Sequence, residues 1–274
     1  MKLSRNSLSP FNQLLASALL VIGTVLPGQS ATVLVSGTSQ ANDQPFIDFL
    51  NNNFQNVTVT YGNFSDYPAN AATIATADVF FVGRSLSSGQ YANAVNSASF
   101  NALTIPVVSM TSFVSRPDAG RWGWHSGGIA AAGLSVAGTE TTVTAAGAGI
   151  FGVSAGAVDW FTVPAGNNFF SPGTGTVGNG QILATIGGDI LAAGWNAGDQ
   201  SGTGVTFGGD RLLFNLPQNG GMTVVPDTLA GQQALISALT AFTPLQVQVP
   251  EPGSMTLVAL GGTALLVFRR RSNR

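Results

Sequence analysis

The sequence predicts an α/β domain: an open, mostly parallel sheet with helices on both faces, followed by a β-rich second half. Three observations predict it. Four runs in the first half, TVLVS, VTVTY, DVFFV and IPVVSM, have the length and the β-branched or aromatic content of strands. Segments with helical signals separate them, and continuous apolar strands alternating with helices form a parallel sheet buried on both sides. The second half is richer in Gly and β-branched residues and offers further strands with turns between them.

Taken in order, Thr32 to Ser36 is the first strand and stops at Gly37. Asn42 or Asp43 can cap the next helix, with Pro45 in its first turn and Phe46, Ile47, Phe49 and Leu50 on its buried side. Val57 to Tyr61 is the second strand, Ala69 to Ala77 an Ala-rich helix, and Asp78 to Val82 the third strand. Ser88 to Ala98 reads as a weaker helix and Ile105 to Met110 as the fourth strand. Beyond a long loop, Glu140 to Thr144, Gln181 to Ile186, Ile190 to Gly194 and Arg211 to Asn215 read as strands, with a Gly/Asn/Thr loop over Gly166 to Gly180. Thr228 to Phe242 closes the domain as an amphipathic helix. Asp227 or Thr228 caps it, and Leu229, Leu235, Ile236, Leu239 and Phe242 lie on one face.

Composition narrows the chemistry. The 274 residues include no Cys, which excludes a disulfide framework, a thiolate nucleophile and any Cys-ligated metal. Six of the ten basic residues sit at the two ends. Between Ala31 and Pro250 only Arg84, Arg116, Arg121 and Arg211 remain against eleven acidic residues, a net charge of about −7 without a single Lys. A phosphate backbone requires clustered cations, so nucleic acid is excluded as a partner.

The ends carry the strongest signals. Lys2 and Arg5 precede an apolar core, Leu14 to Leu26, which Pro27 and Gly28 interrupt before the small residues Ser30 and Ala31. This is the three-part pattern of a secretory signal peptide, expected over residues 1–31 and removed by signal peptidase; a buried N-terminal helix is the other reading. At the far end, Pro244 opens a linker over 244–253, and Met255 to Phe268 form an uncharged apolar run, followed at once by Arg269, Arg270 and Arg271. Those fourteen residues cover about 21 Å as a helix, short of a hydrocarbon core of about 30 Å. Snorkelling Arg side chains extend the span, and the triple Arg should stay cytoplasmic, leaving the body outside. Pro250 and Pro252 hold the backbone extended, which suits a processing site.

Pro250-Glu251-Pro252-Gly253, the short apolar helix over 254–274 and the Arg269 to Arg271 cluster together closely resemble the PEP-CTERM sorting signal, over about the last 25 residues. The resemblance implies recognition by an exosortase at the membrane, cleavage near Pro-Glu-Pro, and a final location at the cell surface or outside it, in a setting of extracellular polysaccharide. An ordinary C-terminal anchor is the competing reading.

Between the ends, VLVSG with its following helix, VTVTYGNFSD, DVFFVGRSLSSG, IPVVSMTSFV and the helix after GDRLLFNLP resemble flavodoxin-like and class I glutamine-amidotransferase-like (ThuA-like) domains, over roughly Ala31 to Phe242. The resemblance implies the fold and not the reaction. The amidotransferase nucleophile is a Cys, and the turn after the third strand offers Arg84 and Ser85 instead.

Ligands of such sheets sit at the carboxyl ends of the strands. One loop there, Thr111 to Gly128, is the densest polar and aromatic cluster of the body, with Arg116, Asp118, Arg121, Trp122, Trp124 and the single His125. Two readings stand. Arg116 and Arg121 grip an anionic group while the Trp faces stack on a sugar, giving a glycan-binding module or a hydrolase. Otherwise the loop is a surface segment pinned by its Trp residues. Gly152-Val153-Ser154-Ala155-Gly156 matches the G-x-S-x-G nucleophile pattern, but that elbow needs a strand before it and a helix after it. Asp189, Asp199 and Asp210 stand beside glycines as turn formers, at spacings that fit no calcium loop. No dinucleotide or P-loop motif appears in context, so no cofactor and no metal are expected. The sequence thus favours a non-catalytic exported protein over an enzyme.

Overall fold

The computed structural model describes residues 30–118, 120–130, 134–135, 140–162 and 169–248. The expected signal segment, the Pro-Glu-Pro site and the apolar tail with its Arg cluster lie outside the described residues.

Strands β1 (Ala31–Ser36), β2 (Val57–Gly62), β3 (Val79–Val82) and β4 (Val107–Ser109) alternate with helices α1 (Gln40–Asn53), α2 (Tyr67–Ile74) and α3 (Ala94–Ala102). A single helical turn, α4 (Ser112–Ser115), follows β4. The second half contributes β5 (Leu134–Ser135), β6 (Glu140–Val143), α5 (Ala145–Phe151), β7 (Gly156–Asp159), β8 (Phe169–Phe170), β9 (Gln181–Ile186), β10 (Asp189–Trp195), β11 (Arg211–Phe214), β12 (Gln218–Asn219), β13 (Met222–Thr223) and α6 (Leu229–Phe242). Nine strands form one sheet in the order β2-β1-β3-β4-β11-β10-β9-β6-β7, beside a small four-stranded sheet, β13-β12-β8-β5.

The large sheet has two halves. From β2 through β11 every pairing is parallel; from β11 through β7 every pairing is antiparallel. The β-rich second half is therefore an antiparallel extension of a doubly wound parallel sheet. β11 returns from far along the chain to occupy the fifth parallel position.

Burial explains the continuous apolar strands. In β1, Val33 and Val35 face one core while Leu34 faces the other; in β3, Val79 and Phe81 join the first and Phe80 and Val82 the second. Phe46, Phe49 and Leu50 of α1, with Leu235, Leu239 and Phe242 of α6, cover the first face. Ile74 of α2, Phe100 of α3 and the Trp122 and Trp124 rings cover the second. Both faces are dry, so a solvated alternation has no place in these strands.

Three local expectations are corrected. Ser39, not Asn42 or Asp43, caps α1, accepting from Asn42 N. The helix thus begins three residues early, Pro45 falls inside it and Asp43 turns into the core. The helix expected over Ser88 to Ala98 breaks in two: a 3₁₀ turn, Ser88–Tyr91, and then α3, which Asn93 caps by accepting from Val95 N at 2.9 Å. Leu229 is 88 % exposed, outside the buried face of α6, because Thr228 is the cap, accepting from Gly231 N at 3.0 Å, and Leu229 heads the first turn.

The segment after α6 docks instead of hanging free. Gln55 N donates to Gln246 O (2.9 Å), Gln248 N donates to Asn53 O (2.8 Å), and Leu245 is buried. Ala31 N donates to Asn56 O at 2.8 Å. The first and the last described stretches therefore meet at the turn between α1 and β2, on the amino edge of the sheet.

Candidate functional site

The Thr111 to Gly128 segment is threaded into the body. Trp122 N donates to Val114 O (3.1 Å), Gly123 N to Arg116 O (3.1 Å) and Trp124 N to Ser115 O (2.7 Å), which folds the segment back along α4. Gly123 takes a positive φ of 65°, open to Gly at little cost. Trp122 and Trp124 are fully buried. Trp122 packs on Phe100 and Tyr91, with ring centroids at 4.9 and 5.5 Å; Trp124 packs on Trp195 and Phe207 at 5.7 and 5.8 Å and donates to Asn101 Oδ1 at 2.9 Å. Protein covers the ring faces that a sugar would need.

The charged members of the segment do come together. Arg116 Nε lies 2.8 Å from Asp118 Oδ1, and Arg121 Nη1 lies 4.0 Å from Asp118 Oδ2. Arg121 Nη2 also donates to Ser88 Oγ at 3.3 Å. His125 is separate from them and buried, its Nδ1 donating to Thr174 O at 3.2 Å and its Nε2 without a hydrogen-bond partner. Burial pushes its pKa down, against backbone groups of Thr174, Gly127 and Ser112 that raise it. The unfolded chain takes up this proton near pH 6.5, whereas the folded site binds it only at lower pH. Stability is therefore expected to fall as pH drops below about 6.5. Thermal unfolding at about pH 7.5 and about pH 5 checks this, and a His125→Gln variant should show the smaller drop.

Ser154 is exposed and follows the end of α5, where Gly152 takes the left-handed C-cap position with φ 68°. The order is helix, turn, strand, the reverse of a nucleophile elbow. Asp199 and Asp210 act as turn formers, accepting from Asn196 N (2.7 Å) and Ala197 N (2.9 Å). Among the described residues no group of three His, Cys, Asp or Glu is placed to hold a metal ion.

The sheet order puts the carboxyl ends of β1 and β3 side by side, with the chain leaving them in opposite directions, the crevice where ligands of doubly wound sheets bind. Asp43 fills this place. Its Oδ1 accepts from Thr223 Oγ1 (2.6 Å) and from the backbone N–H groups of Arg84 and Ser85 (3.2 Å each). Its Oδ2 accepts from Tyr61 OH (3.0 Å) and, through a short bond, from Ser85 Oγ. The space exists because Gly37 and Gly83 end the two strands: a Cβ on Gly83 would stand 2.7 Å from Asp43 Oδ2, and one on Gly37 would overlap Tyr61 OH and Asp43. Five donors converge on a carboxylate that has about four lone-pair sites, so the protein's own groups occupy its oxygens. Burial, together with the neighbouring Asp43 charge, pushes the Tyr61 phenol up to about 12, so it stays protonated. This constellation is a lock on the crevice. Asp43, Tyr61 and Thr223 escaped sequence reasoning; the available signal was a Gly directly after each of two adjacent apolar strands.

Compared with known protein families, residues 248–271 match the PEP-CTERM protein-sorting motif. The tail carries a PEP-CTERM sorting motif. The match includes Pro250-Glu251-Pro252, the apolar run and Arg269 to Arg271. It indicates an exported protein, transiently anchored in the membrane and processed there by an exosortase. No curated protein matches the chain. Among the described residues no helix is long and apolar enough to cross a membrane; the apolar tail lies outside them.

Proposed function

We propose that this chain is a surface or extracellular-matrix protein that an exosortase releases at Pro250-Glu251-Pro252, and that its flavodoxin-like body acts without catalysis. The sorting motif over 248–271 carries the first part. The parallel order β2-β1-β3-β4-β11 supports the flavodoxin-like reading of the body. The enclosure of Asp43 supports the reading without catalysis, since the five donors to the crevice carboxylate all belong to the protein itself.

The signal peptide over 1–31, the transmembrane tail over 254–274 and a surrounding extracellular polysaccharide belong to the same proposal. Ala31 and Gln248, described residues close in sequence to the two proposed cleavage points, both lie beside the α1–β2 turn at the amino edge of the sheet.

The exported form is expected to end near Pro252, and its intact mass checks this. A mass that still includes Arg274 would contradict exosortase release. The other reading, a glycan-binding module or hydrolase on the 111–128 loop, has less support: Trp122 and Trp124 are covered and Ser154 stands outside an elbow. Ser154 is accordingly expected to stay unlabelled by a fluorophosphonate; stoichiometric labelling would revive the hydrolase.

A further inference from the structure

We propose that the outer edge of β2 pairs with the same edge of a second copy of this chain, joining the two sheets by an antiparallel, two-fold contact. The proposal is independent of the sorting reading. Among the described residues β2 ends the large sheet on its parallel side. Its bonds to β1 fix which backbone groups point outward. Ala31 N donates to Asn56 O and Gly37 N to Gly62 O, so in this parallel ladder residues 56, 58, 60 and 62 turn their backbone groups toward β1. The N–H and C=O groups of Val57, Val59 and Tyr61 therefore point away from the sheet.

An open edge of this kind is a template for another strand, and natural sheets blunt it with short strands, bulges, Pro or charge. The opposite edge, β7, is blunted: it has four residues, a positive φ of 126° at Gly156 and an exposed Asp159. β2 has none of these devices. It runs for six residues, V-T-V-T-Y-G, in unbroken register with β1 and without Pro or charge. The neighbouring helices add little charge, since α2 has no charged residue and α1 exposes only Asp48.

The sequence of β2 selects its own copy as the occupant. A two-fold axis at Val59 sets Val59 opposite Val59, Val57 opposite Tyr61, and Thr58 opposite Thr60. The outward-pointing residues then form the hydrogen-bonded pairs, with two bonds in each. Aromatic with β-branched and Thr with Thr are favourable cross-strand neighbours. The faces agree as well. Val57, Val59 and Tyr61 are half-buried against the core under α1, whereas Thr58 and Thr60 are exposed on the other face. Pairing thus extends the apolar strip of one copy into that of the other and sets hydroxyl beside hydroxyl on the wet side. A net negative body would repel itself along a charged edge, but no like charges oppose each other along this one. Because the contact uses the same edge in both copies, it closes at the dimer.

The test is the oligomeric state of the full-length chain in detergent micelles, followed by sedimentation over a range of protein concentrations. A monomer–dimer equilibrium is the expected result. Thr58→Lys with Thr60→Lys places Lys opposite Lys at both Thr pairs and should weaken the dimer by about 10- to 30-fold. Thr58→Asp with Thr60→Asp should weaken it similarly. Both positions are exposed, and circular dichroism checks that each double variant is folded. An equal mixture of the two should associate again, because Lys then faces Asp. A wild-type chain that stays monomeric, a dimer that neither double variant weakens, or a mixture that fails to associate overturns the proposal. A dimer held by the apolar tail would give the second of these outcomes.

Discussion

Asp43→Ala is expected to destabilise the body by about 3–5 kcal/mol, the range for removing one partner from a buried charged network. The substitution removes the acceptor of Tyr61 OH, Thr223 Oγ1, Ser85 Oγ and two backbone N–H groups. Each orphaned donor costs about 1–3 kcal/mol before any relaxation. For a body of this size the loss should appear as a drop in Tm of roughly 6–20 °C. Asp43→Asn keeps the shape but turns an amide NH₂ toward groups that themselves donate, so it should recover only part of the loss. Asp48→Ala on the exposed side of the same helix, where the carboxylate accepts only from Gln44 Nε2, should stay within about 0.5 kcal/mol. Thermal or denaturant unfolding of the three variants checks the ordering. Equal stability of Asp43→Ala and Asp48→Ala would show that the crevice network does not hold the sheet ends together. Gly37→Ala probes the same lock from the other side, because its Cβ would displace Tyr61 OH and Asp43.

That network marks the boundary of what the sequence could disclose. β1, β3, β4 and β11 are legible because burial on both faces leaves each as an uninterrupted apolar run, a local property. Their partners are not local. The strand Arg211 to Asn215 can be read from RLLFN, but its parallel place beside β4 depends on where a chain more than ninety residues further on returns. The antiparallel sense of β9, β10, β6 and β7 likewise follows from connections whose direction the periodicity of two does not encode. At the crevice, the pattern N-D-Q-P reads as a helix start, and Asp is a good cap. Ser39 takes the cap instead, and the shift of three residues rotates Asp43 by most of a turn, from the helix end into the core. The same competition between local and tertiary cues explains Trp122 and Trp124. Their neighbours Ser115, Arg116, Pro117, Asp118, Gly123 and His125 are those of a polar loop. What buries the rings is a non-local hydrophobic cluster formed by Tyr91, Phe100, Trp195 and Phe207. Ser154 shows the reverse case: a matching five-residue pattern whose flanking elements run in the wrong order.

Arg211→Met is expected to cost about 3–5 kcal/mol, from the same physics acting on a cation. Arg211 is fully buried at the strand where the sheet changes from parallel to antiparallel: its neighbours across the two ladders are Val107 of β4 and Trp195 of β10. Its Nη1 donates to Ile105 O (3.2 Å) and Asp210 O (2.8 Å), and its Nη2 to Phe100 O (3.1 Å), Asn101 O (2.9 Å) and Leu103 O (2.7 Å). Carbonyls at the end of α3 have no further helical N–H to receive, and their negative end of the helix dipole favours a cation. One side chain therefore shares the terminus of α3 with the backbone N–H groups of Leu103 and Gly208, holds the carbonyl of Ile105 just before β4 and fixes β11, with Cζ 5.5 Å from the Phe207 ring. Methionine fills much of the volume and none of the hydrogen bonds. Arg211→Lys retains the charge, but its compact ammonium has three donors and cannot span five carbonyls, so it should recover less than half of the loss. Amide hydrogen exchange should show where the damage goes: faster exchange in α3, β4 and β11, with β6 and β7 at the far edge nearly unchanged. Uniform acceleration over all nine strands would mean that the parallel and antiparallel halves unfold as one unit. Protection that collapses around α3 first would identify Arg211 as the clasp joining them.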